Sequence, residues 1–401
     1  MTTARPVLVV NAGSSSLKYQ VLDAASGETE ASGIVDRIGG AGHLKHTTGG
    51  TTHQQDVSCA DHAEALEAAR SALREHGPDL GGIDLFAIGH RVVHGGPRFT
   101  EPVLVDDDVV AAIEELVPLA PLHNPANLEG IRSARSSFPD VPQVAVFDTA
   151  FHQTLPAAAH TYAVPAAWRD EHRVRRYGFH GTSHRHVSRR TAELLGRDPN
   201  ECNVIVLHLG NGASACAVLG GQSVDTSMGL SPLEGLVMGT RSGDVDPALG
   251  AYLERVAGLD PTAYDTALNK ESGLKGLAGA SDMREVEARR EAGDADAALA
   301  VDVMVHRLRK YVGGYAVTLG RVDAIAFTGG IGEKSPLVRG LVLDGLGILG
   351  VELDRRANEE GEPERAVTTA SSRIPAWVVP TNEELEIARA CLAVLEGQRS
   401  R

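Results

Sequence analysis

The chain has 401 residues, of which 42% are hydrophobic, so it can bury a large core, and this length favours two domains over one. Its formal net charge of −15 argues against a nucleic acid or an anionic membrane as partner, and no apolar run is long enough to cross a bilayer. Four widely spaced cysteines without a CxxC pair argue against structural zinc and a disulfide framework. The apolar run before Asn11 is too short for a signal peptide, so we expect a cytoplasmic protein.

The first informative stretch is VLVVNAGSSSLKYQ, at residues 7–20. Residues 7–10 form an uninterrupted apolar run typical of a buried strand, and residues 11–16 are predicted to form a loop. Gly13 lets a ligand come close to the backbone, the serine hydroxyls and amide N–H groups can bind an anion, and Lys18 adds a point charge. The stretch therefore predicts a site for a phosphate chain. The alternative is an ordinary β-hairpin with a serine-rich turn.

The rest of the first half alternates between strands and helices. The helix over 61–75 starts with a capping box of Asp61 and Glu64 and stops at Gly77-Pro78. Asp148 directly follows a predicted strand, and this alternation with a polar group at a strand end indicates an α/β fold. We place the domain change within 150–156. The other predicted elements are short strands within 33–53, a strand over 85–89, a helix over 108–117 and a strand over 144–147.

A second copy of the first stretch, VIVLHLGNGASACAVL, occupies residues 204–219. His208 follows Asn11, and Gly210 follows Gly13, by the same offset of 197 positions (208 − 11 and 210 − 13). Two copies of one strand–loop–strand unit predict two similar halves that face one nucleotide. A third apolar strand, 324–327, leads into the glycine loop 328–333, whose backbone can approach a base or ribose.

The remaining elements of the second half are predicted to be helical. One helix covers 183–195, and another starts at Asp246-Pro247, with the aspartate as cap and the proline in the first turn. Residues 284–319 hold one or two long helices, in which Gly313-Gly314 predicts a bend or a close contact. The last helix begins at Asn382 and carries Leu385, Ala388 and Cys391 on one face.

Two arginines and one histidine lie in glycine-flanked turns. Arg91 is in RVVHGG and Arg241 is in GTRSG. A surface arginine is normally a solvated charge, but its planar guanidinium also suits a carboxylate or a phosphate. His180, taken alone, is either a satisfied polar group or half of a metal pair with His184. We argue against zinc, because Gly181 weakens the helix that such a pair needs and no HExxH pattern exists.

Eight motifs, in order along nearly the whole chain, together resemble the acetate kinase family of the acetate and sugar kinase, Hsp70 and actin superfold. They are NAGSSSLK, GHRVVHGG, FDTAFH, YGFHGTSH, HLGNGAS, MGTRSGD, FTGGIGE and PTNEE. The resemblance implies an α/β protein with a duplicated ribonuclease H-like core in two domains and an active-site cleft between them. It implies an N-terminal domain of residues 1–150, on which helix 383–401 packs back, and a nucleotide-binding C-terminal domain of residues 151–382.

The resemblance also implies the roles of individual residues. Arg91 and Arg241 bracket the substrate carboxylate and the phosphoryl group in transit, and His180 donates a hydrogen bond to that group. The implied catalytic residues are Asp148, His180, Arg241 and Arg91. The implied pocket for the substrate and its methyl group consists of Arg91, Val93, Leu122, Phe179 and Pro232. The implied ligands of Mg²⁺, or of Mn²⁺, are Asn11 and Glu383. The implied nucleotide-binding residues are Lys18, His208, Leu209, Gly210, Asn211, Gly212, Asp282, Met283, Arg284, Gly330, Ile331, Gly332, Glu333 and Lys334.

Three of these positions leave alternatives open. A carboxylate substrate needs no general base, so Asp148 orients Arg91 or holds water on Mg²⁺, although the family's usual role for it is acid–base catalysis. The plainer alternative is a strand-end aspartate that caps the next turn. Glu383 also suits the start of a helix after the Asn382 cap. Lys334 replaces the asparagine of the family's GIGEN motif, which leaves the choice of nucleotide open.

We therefore expect a phosphotransferase that moves the γ-phosphoryl group of ATP reversibly to acetate, giving acetyl phosphate and ADP, by in-line displacement with domain closure. Propionate or butyrate is the alternative acceptor, because one methylene changes discrimination by only about 1–3 kcal/mol. From a different class, an ATP-driven binding module resembling Hsp70 or actin would leave Arg91 and Arg241 unexplained. The expected partners are the small carboxylate, the nucleotide and, as in the family, a second copy of the chain.

Overall fold

The structure is a computed structural model that describes residues 4–80, 82 and 84–399. Its strands are β1 (Pro6–Gly13), β2 (Ser16–Asp23), β3 (Thr29–Asp36), β4 (Gly40–Thr48), β5 (Thr51–Cys59), β6 (Ala87–Val92), β7 (Val103–Leu104), β8 (Gln143–Phe147), β9 (Asn203–Leu209), β10 (Ala213–Leu219), β11 (Gln222–Thr226), β12 (Ala324–Thr328), β13 (Arg365–Ala366) and β14 (Ala376–Val378). Its α-helices are α1 (His62–His76), α2 (Asp107–Glu115), α3 (Asn124–Ser137), α4 (Ala157–His160), α5 (Ala166–His172), α6 (Gly181–Leu194), α7 (Leu249–Ala257), α8 (Pro261–Lys270), α9 (Gly273–Ala278), α10 (Met283–Glu291), α11 (Ala295–Leu319), α12 (Gly329–Lys334), α13 (Pro336–Asp344), α14 (Arg355–Glu359) and α15 (Glu383–Arg399). None of these helices is both long enough and apolar enough to cross a membrane.

The chain forms two compact units. The first unit is Met1–Phe151 together with Asn382–Arg401, and the second unit is His152–Thr381. The chain therefore passes from one unit to the other twice, and α15 belongs to the first unit although it comes last in the sequence. The assignment of nucleotide binding to the second unit stays a prediction.

The first unit is built on one sheet whose strand β1 is buried on both faces. Among the described residues this sheet has eight strands in the order β5-β4-β3-β2-β1-β6-β8-β7. Leu8 and Val10 of β1 pack with residues of α1, whereas Val7 and Val9, which point to the other face, pack with residues of α15. The uninterrupted apolar run at 7–10 thus reflects burial on both faces of the sheet.

The second unit repeats the same strand arrangement. Its sheet has six strands among the described residues, in the order β11-β10-β9-β12-β14-β13. β9 is antiparallel to β10 and parallel to β12, as β1 is antiparallel to β2 and parallel to β6. β13 pairs antiparallel with β14, as β7 does with β8. The predicted duplicated α/β core is confirmed by this match.

Several helix boundaries follow from local capping. The Asp61 carboxylate accepts a hydrogen bond from the Glu64 amide at 2.9 Å, and Gly77 closes α1 with φ of 90°. The Glu64 carboxylate accepts a hydrogen bond from the Ala60 amide at 2.7 Å, one residue before the Asp61 amide expected for a capping box. The Asn382 side chain accepts from the Leu385 amide at 3.0 Å and so starts α15 as predicted.

Three local predictions differ from the structure. Residues 11–16 are mostly strand, because β1 continues to Gly13 and β2 begins at Ser16, so the turn is confined to Ser14-Ser15 and the hairpin alternative describes the backbone correctly. Asp246-Pro247 does not begin a helix: the Asp246 carboxylate caps the Ala248 amide at 2.8 Å in a turn, and α7 begins at Leu249. Gly313-Gly314 lies inside α11, and a Cβ atom added at either glycine would have no neighbour within 4 Å, so neither marks a close contact, while the alternative of a bend stays a prediction.

His90 on β6 makes the stability of the first unit depend on pH. It is buried, Gln143 Oε1 lies 2.8 Å from its Nε2, and burial lowers the pKa of its imidazole from 6.5 to about 4. The unfolded chain therefore takes up a proton below pH 6.5 while the folded chain does not, so the free energy of unfolding falls by up to about 3 kcal/mol as the pH drops towards 4. A His90→Leu/Gln143→Leu double variant should lose less thermal stability between pH 7 and pH 5 than the wild type. Equal losses would contradict this assignment.

Candidate active site

Arg91 and Asp148 form a forked ion pair at the edge of the first sheet. Arg91 lies near the carboxyl end of β6, and Asp148 directly follows the parallel neighbour β8. Arg91 Nε donates to Asp148 Oδ1 at 2.9 Å, and Nη2 donates to Oδ2 at 2.7 Å. Only 1% of Asp148 is exposed, and both of its carboxylate oxygens accept from Arg91. The pair therefore holds the guanidinium plane in one orientation.

Glu383 adds a second carboxylate to this cluster. As the first residue of α15, it brings Oε2 to 3.8 Å from Arg91 Nη1. Burial alone would lower the pKa of Arg91, but Asp148 and Glu383 outweigh it and raise that pKa above its ordinary value. The pKa of the Glu383 carboxyl is raised, chiefly by burial and also by the negative charge of Asp148. The positive charges of Arg91 and Lys18 lower this pKa but do not outweigh burial. The four charges therefore interact as one group.

Asn11 and Lys18 face each other across the first hairpin. They are partners in the β1–β2 ladder, and Asn11 lies just beyond the Val10–His90 pair of β1 and β6. The amide oxygen of Asn11 and the carboxylate of Glu383 are hard oxygen donors of the kind that Mg²⁺ accepts, with substrate phosphates and water completing its shell. No group of three or more His, Cys, Asp or Glu that could hold a metal occurs in the described part of the chain.

The residues predicted to line the apolar pocket are divided between the two units. Val93 follows β6, and its amide donates to Asn127 Oδ1 at 3.0 Å, while Leu122 is 60% exposed ahead of α3. Phe179 is buried in the second unit, where Pro232 is partly exposed. Leu122 is thus a large apolar side chain in contact with solvent.

In the second unit, His180 and Arg241 converge on the turn of the β9–β10 hairpin. A Cβ atom added to Gly212 would lie 3.5 Å from His180 Nε2 and 3.8 Å from Arg241 Nη1. His180 precedes α6 with φ of 57°, a left-handed conformation that is strained for a residue with a side chain. Such strain is typical of functional sites.

Arg241 is a largely buried cation without a counter-ion. Its side chain makes no ion pair or hydrogen bond with any other described residue, and burial lowers the pKa of its guanidinium. Arg91, in contrast, is paired with two carboxylates. Because an unpaired charge is costly to bury, a bound anion beside Arg241 would recover that cost.

The predicted nucleotide residues of the β9–β10 hairpin form a turn that backbone hydrogen bonds hold in place. His208 and Leu209 end β9, the Gly210 amide donates to the Gly212 carbonyl at 3.0 Å, and the Gly239 amide donates to the Asn211 carbonyl at 2.9 Å. His208 Nδ1 lies 2.8 Å from Ser183 Oγ, which accepts from the Thr381 hydroxyl at 2.8 Å. The turn therefore presents a fixed backbone surface.

The other predicted nucleotide residues lie at two helix starts. Asp282 caps α10 through the Arg284 amide at 2.9 Å, and the Arg284 side chain folds back onto the same carboxylate at 3.0 Å, while Met283 is buried. Gly330, Ile331, Gly332, Glu333 and Lys334 belong to α12. Of these, Gly330 and Lys334 are exposed.

Two features of α12 have structural explanations that the sequence did not suggest. Gly329 has φ of +76°, and a Cβ there would meet the Leu209 carbonyl oxygen at 2.8 Å, so close packing against β9 requires this glycine. The Glu333 carboxylate accepts from the Gly329 amide at 3.0 Å and the Thr381 amide at 3.2 Å. That carboxylate is therefore already engaged within the second unit.

Sequence reasoning missed one residue that positions α12. Arg339 is fully buried and donates to the carbonyls of Gly332 and Glu333, both at 2.9 Å, and to Asn358 Oδ1 at 2.8 Å. Burial lowers its pKa to about 10. Its cation lies at the carboxyl end of α12, where helix carbonyls favour positive charge. The only sequence signal was an arginine on the buried face of an otherwise apolar helix.

Comparison with known proteins agrees with this architecture along the whole chain. The model of the acetokinase family matches residues 6–389. The chain is 57% identical over 394 residues to an acetate kinase of Streptomyces avermitilis, covering 97% of each chain. It superimposes on the crystal structure of Porphyromonas gingivalis acetate kinase with a TM-score of 0.93 and 41% identity, covering 98% of this chain and 100% of the other. A propionate kinase from Francisella tularensis gives a TM-score of 0.91 and 41% identity, covering 96% and 98% of the two chains. The chain belongs to the acetokinase family.

Proposed function

We propose that this protein is an acetate kinase, which transfers the γ-phosphoryl group of ATP to acetate and runs the reaction in both directions. The observation that carries the proposal is the convergence of His180 and the unpaired Arg241 on the β9–β10 turn. A phosphoryl group in transit is the kind of anion that such a pair suits. The membership of the whole chain in the acetokinase family supports the same reaction.

Acetate needs no base, because its carboxylate is already a nucleophile at neutral pH. Arg91 holds and orients that carboxylate, and Asp148 fixes Arg91 through the forked pair. Arg241 and His180 stabilise charge on the moving phosphoryl group. Displacement is in line, and the rate comes from positioning and electrostatic stabilisation.

Asn11 and Glu383 are the residues that would hold a divalent cation, Mg²⁺ or Mn²⁺. Their amide and carboxylate oxygens fit a hard cation that takes few protein ligands. A cation held there would supply positive charge that offsets part of the charge on the nucleotide phosphates. Lys18 and the hairpin residues His208 to Gly212 support the phosphates, and Asp282, Arg284 and Gly330 lie at the helix starts that accept the nucleoside.

Val93, Leu122, Phe179 and Pro232 form the apolar pocket for the methyl group. Acetate is the preferred acceptor, and propionate or butyrate is the alternative. The similarity to a propionate kinase, at the same 41% identity as to an acetate kinase of known structure, supports testing the longer acids. The discrimination expected from one methylene is only about 10- to 200-fold.

Lys334 should affect nucleotide preference. It is exposed on α12, where the family motif has asparagine, so its ammonium adds a positive charge near the nucleoside. We expect a Lys334→Asn variant to change the ratio of kcat/KM values for ATP and GTP by about threefold to tenfold, with KM for acetate unchanged. A Lys310→Asn variant is the control. An unchanged ratio of kcat/KM for ATP and GTP would show that Lys334 does not contribute to the choice of nucleotide.

Two further properties belong to this proposal. The protein works in the cytoplasm, which the wide spacing of its four cysteines and their lack of a CxxC pair support. It acts as a homodimer, as the resemblance to the family implies.

The decisive experiment is acyl phosphate formation from Mg-ATP, trapped with hydroxylamine, with acetate, propionate and butyrate in parallel. Product that is largest with acetate is the expected result. Larger product with propionate or butyrate would reassign the acceptor. If ATP is hydrolysed without acyl phosphate, and peptide stimulates that hydrolysis, the binding-module alternative replaces the kinase.

A further inference from the structure

A single serine hydroxyl lies between two histidines in the second unit. Ser214, on β10, is fully buried, and its Oγ lies 3.0 Å from His180 Nδ1 and 2.7 Å from His184 Nε2. His184 is also fully buried, one turn into α6. The other nitrogen of its ring, Nδ1, is buried without a hydrogen-bond partner among the described residues.

The number of protons restricts this triad to two arrangements. A hydroxyl has one proton to donate and two lone pairs, so Ser214 could accept from both imidazoles, but its own proton would then be buried without an acceptor, because these two rings are the only hydrogen-bond partners of its Oγ among the described residues. Ser214 therefore donates to one imidazole and accepts an N–H from the other. In the first arrangement, His184 Nε2–H donates to Ser214, Ser214 donates to His180 Nδ1, and His180 carries its proton on Nε2. In the second arrangement every donor and acceptor is reversed.

The burial of His184 decides between them. The reversed arrangement puts a proton on His184 Nδ1, which would leave an N–H group buried without an acceptor. Orphaned buried N–H groups are rarer in proteins than under-used acceptors. The first arrangement leaves only a lone pair unused, and burial also lowers the pKa of His184 well below its ordinary value, which keeps that ring neutral.

We propose that Ser214 and His184 are positioning residues that hold His180 in the neutral tautomer with its proton on Nε2. That nitrogen is the one near Gly212 and Arg241, so it is presented as a hydrogen-bond donor. Protonating His180 on Nδ1 as well would leave either the Ser214 hydroxyl or a His184 Nδ1–H group buried without an acceptor, so the same network disfavours the charged ring. The inference deepens the proposed function and rests on it for the role of His180 as a donor to the phosphoryl group.

The tautomer can be observed directly. In ¹⁵N-histidine-labelled protein, long-range ¹H–¹⁵N correlation spectra separate Nδ1–H from Nε2–H rings, and a His180→Gln variant identifies the His180 signals. We expect wild-type His180 to be protonated on Nε2 alone. A Ser214→Ala variant should show a mixture of tautomers and about a tenfold lower kcat, with KM for ATP little changed, because one orienting hydrogen bond is lost.

Two further variants separate positioning from general destabilisation. Ser214→Thr keeps the hydroxyl and should restore the Nε2 tautomer and most of kcat. Ser188→Ala removes another buried hydroxyl, which donates to the Arg185 carbonyl at 3.1 Å on the same helix as His184, and should leave the His180 spectrum unchanged. A wild-type spectrum with the proton on Nδ1, or an unchanged tautomer in Ser214→Ala, overturns the proposal. Absence of acyl phosphate from the wild type would instead be a failure of the proposed function.

Discussion

Replacing Arg241 with alanine should lower kcat for acyl phosphate formation by about 100- to 1,000-fold, the loss typical of removing one preorganised donor to a transition-state charge. The reason is that its guanidinium is largely buried without a carboxylate partner, so its charge is available to the reacting group. Arg241→Lys should recover only part of the rate, because an ammonium group cannot offer forked donors. Steady-state kinetics in both directions would measure these effects.

The control for this prediction is an arginine whose charge is already satisfied. Arg190 on α6 makes a forked pair with Glu364, at 2.8 Å for both hydrogen bonds, and lies near the surface. Arg190→Ala should leave kcat within about twofold, because exposed ion pairs contribute little. If Arg241→Ala retains the wild-type rate, the role proposed for this arginine is wrong.

The second large effect is expected from Asp148→Asn. An amide cannot reproduce the forked acceptor that binds Arg91, and each hydrogen bond to a charged group contributes about 1.5–3 kcal/mol. We expect kcat/KM for acetate to fall about 100-fold, chiefly through KM for acetate, with the dependence on Mg²⁺ unchanged. Kinetics with acetate and Mg²⁺ varied independently, over a range of pH, would test this.

The alternatives for Asp148 predict different results from the same variant. A higher Mg²⁺ requirement with normal KM for acetate would favour a role in holding water on the metal. Loss of the acidic limb of the pH profile, with unchanged Mg²⁺ dependence, would favour proton transfer. Asp323→Asn is the matched control, because Asp323 also binds an arginine, Arg197 at 2.6 Å, but in the second unit away from the β9–β10 turn.

Much of the fold could be predicted from the sequence, because it is encoded in local patterns. The repeat between 7–20 and 204–219 predicted the duplicated core, and the caps at Asp61 and Asn382 predicted helix starts. The extent of β1 was not predicted, since nothing in NAGSS shows that the ladder with β2 continues to Gly13. The predicted start at Asp246-Pro247 is two residues early, because the aspartate caps a turn that precedes α7 and the helix begins only at Leu249.

The candidate site was predictable only in part. Arg91 and Arg241 stand out as arginines close to glycines, although Arg91 lies in β6 and not in the predicted turn. Their difference in pairing depends on Asp148 and Glu383, which are distant from Arg91 in sequence. Nothing in the sequence singled out Ser214, because its contacts to His180 and His184 come from the packing of α6 on the sheet. Such long-range contacts leave no periodic signal.

The position of α15 affects how the chain can fold during synthesis. The sheet face formed by Val7 and Val9 is covered by Leu385, Ile387 and Cys391, so the ribosome makes this covering helix only after the entire second unit. The second unit is a continuous segment and can fold as it leaves the ribosome. The first unit keeps an apolar sheet face uncovered until α15 has been synthesised. A chain whose translation stops before α15 would therefore have a complete second unit but a first unit with one face of its sheet uncovered.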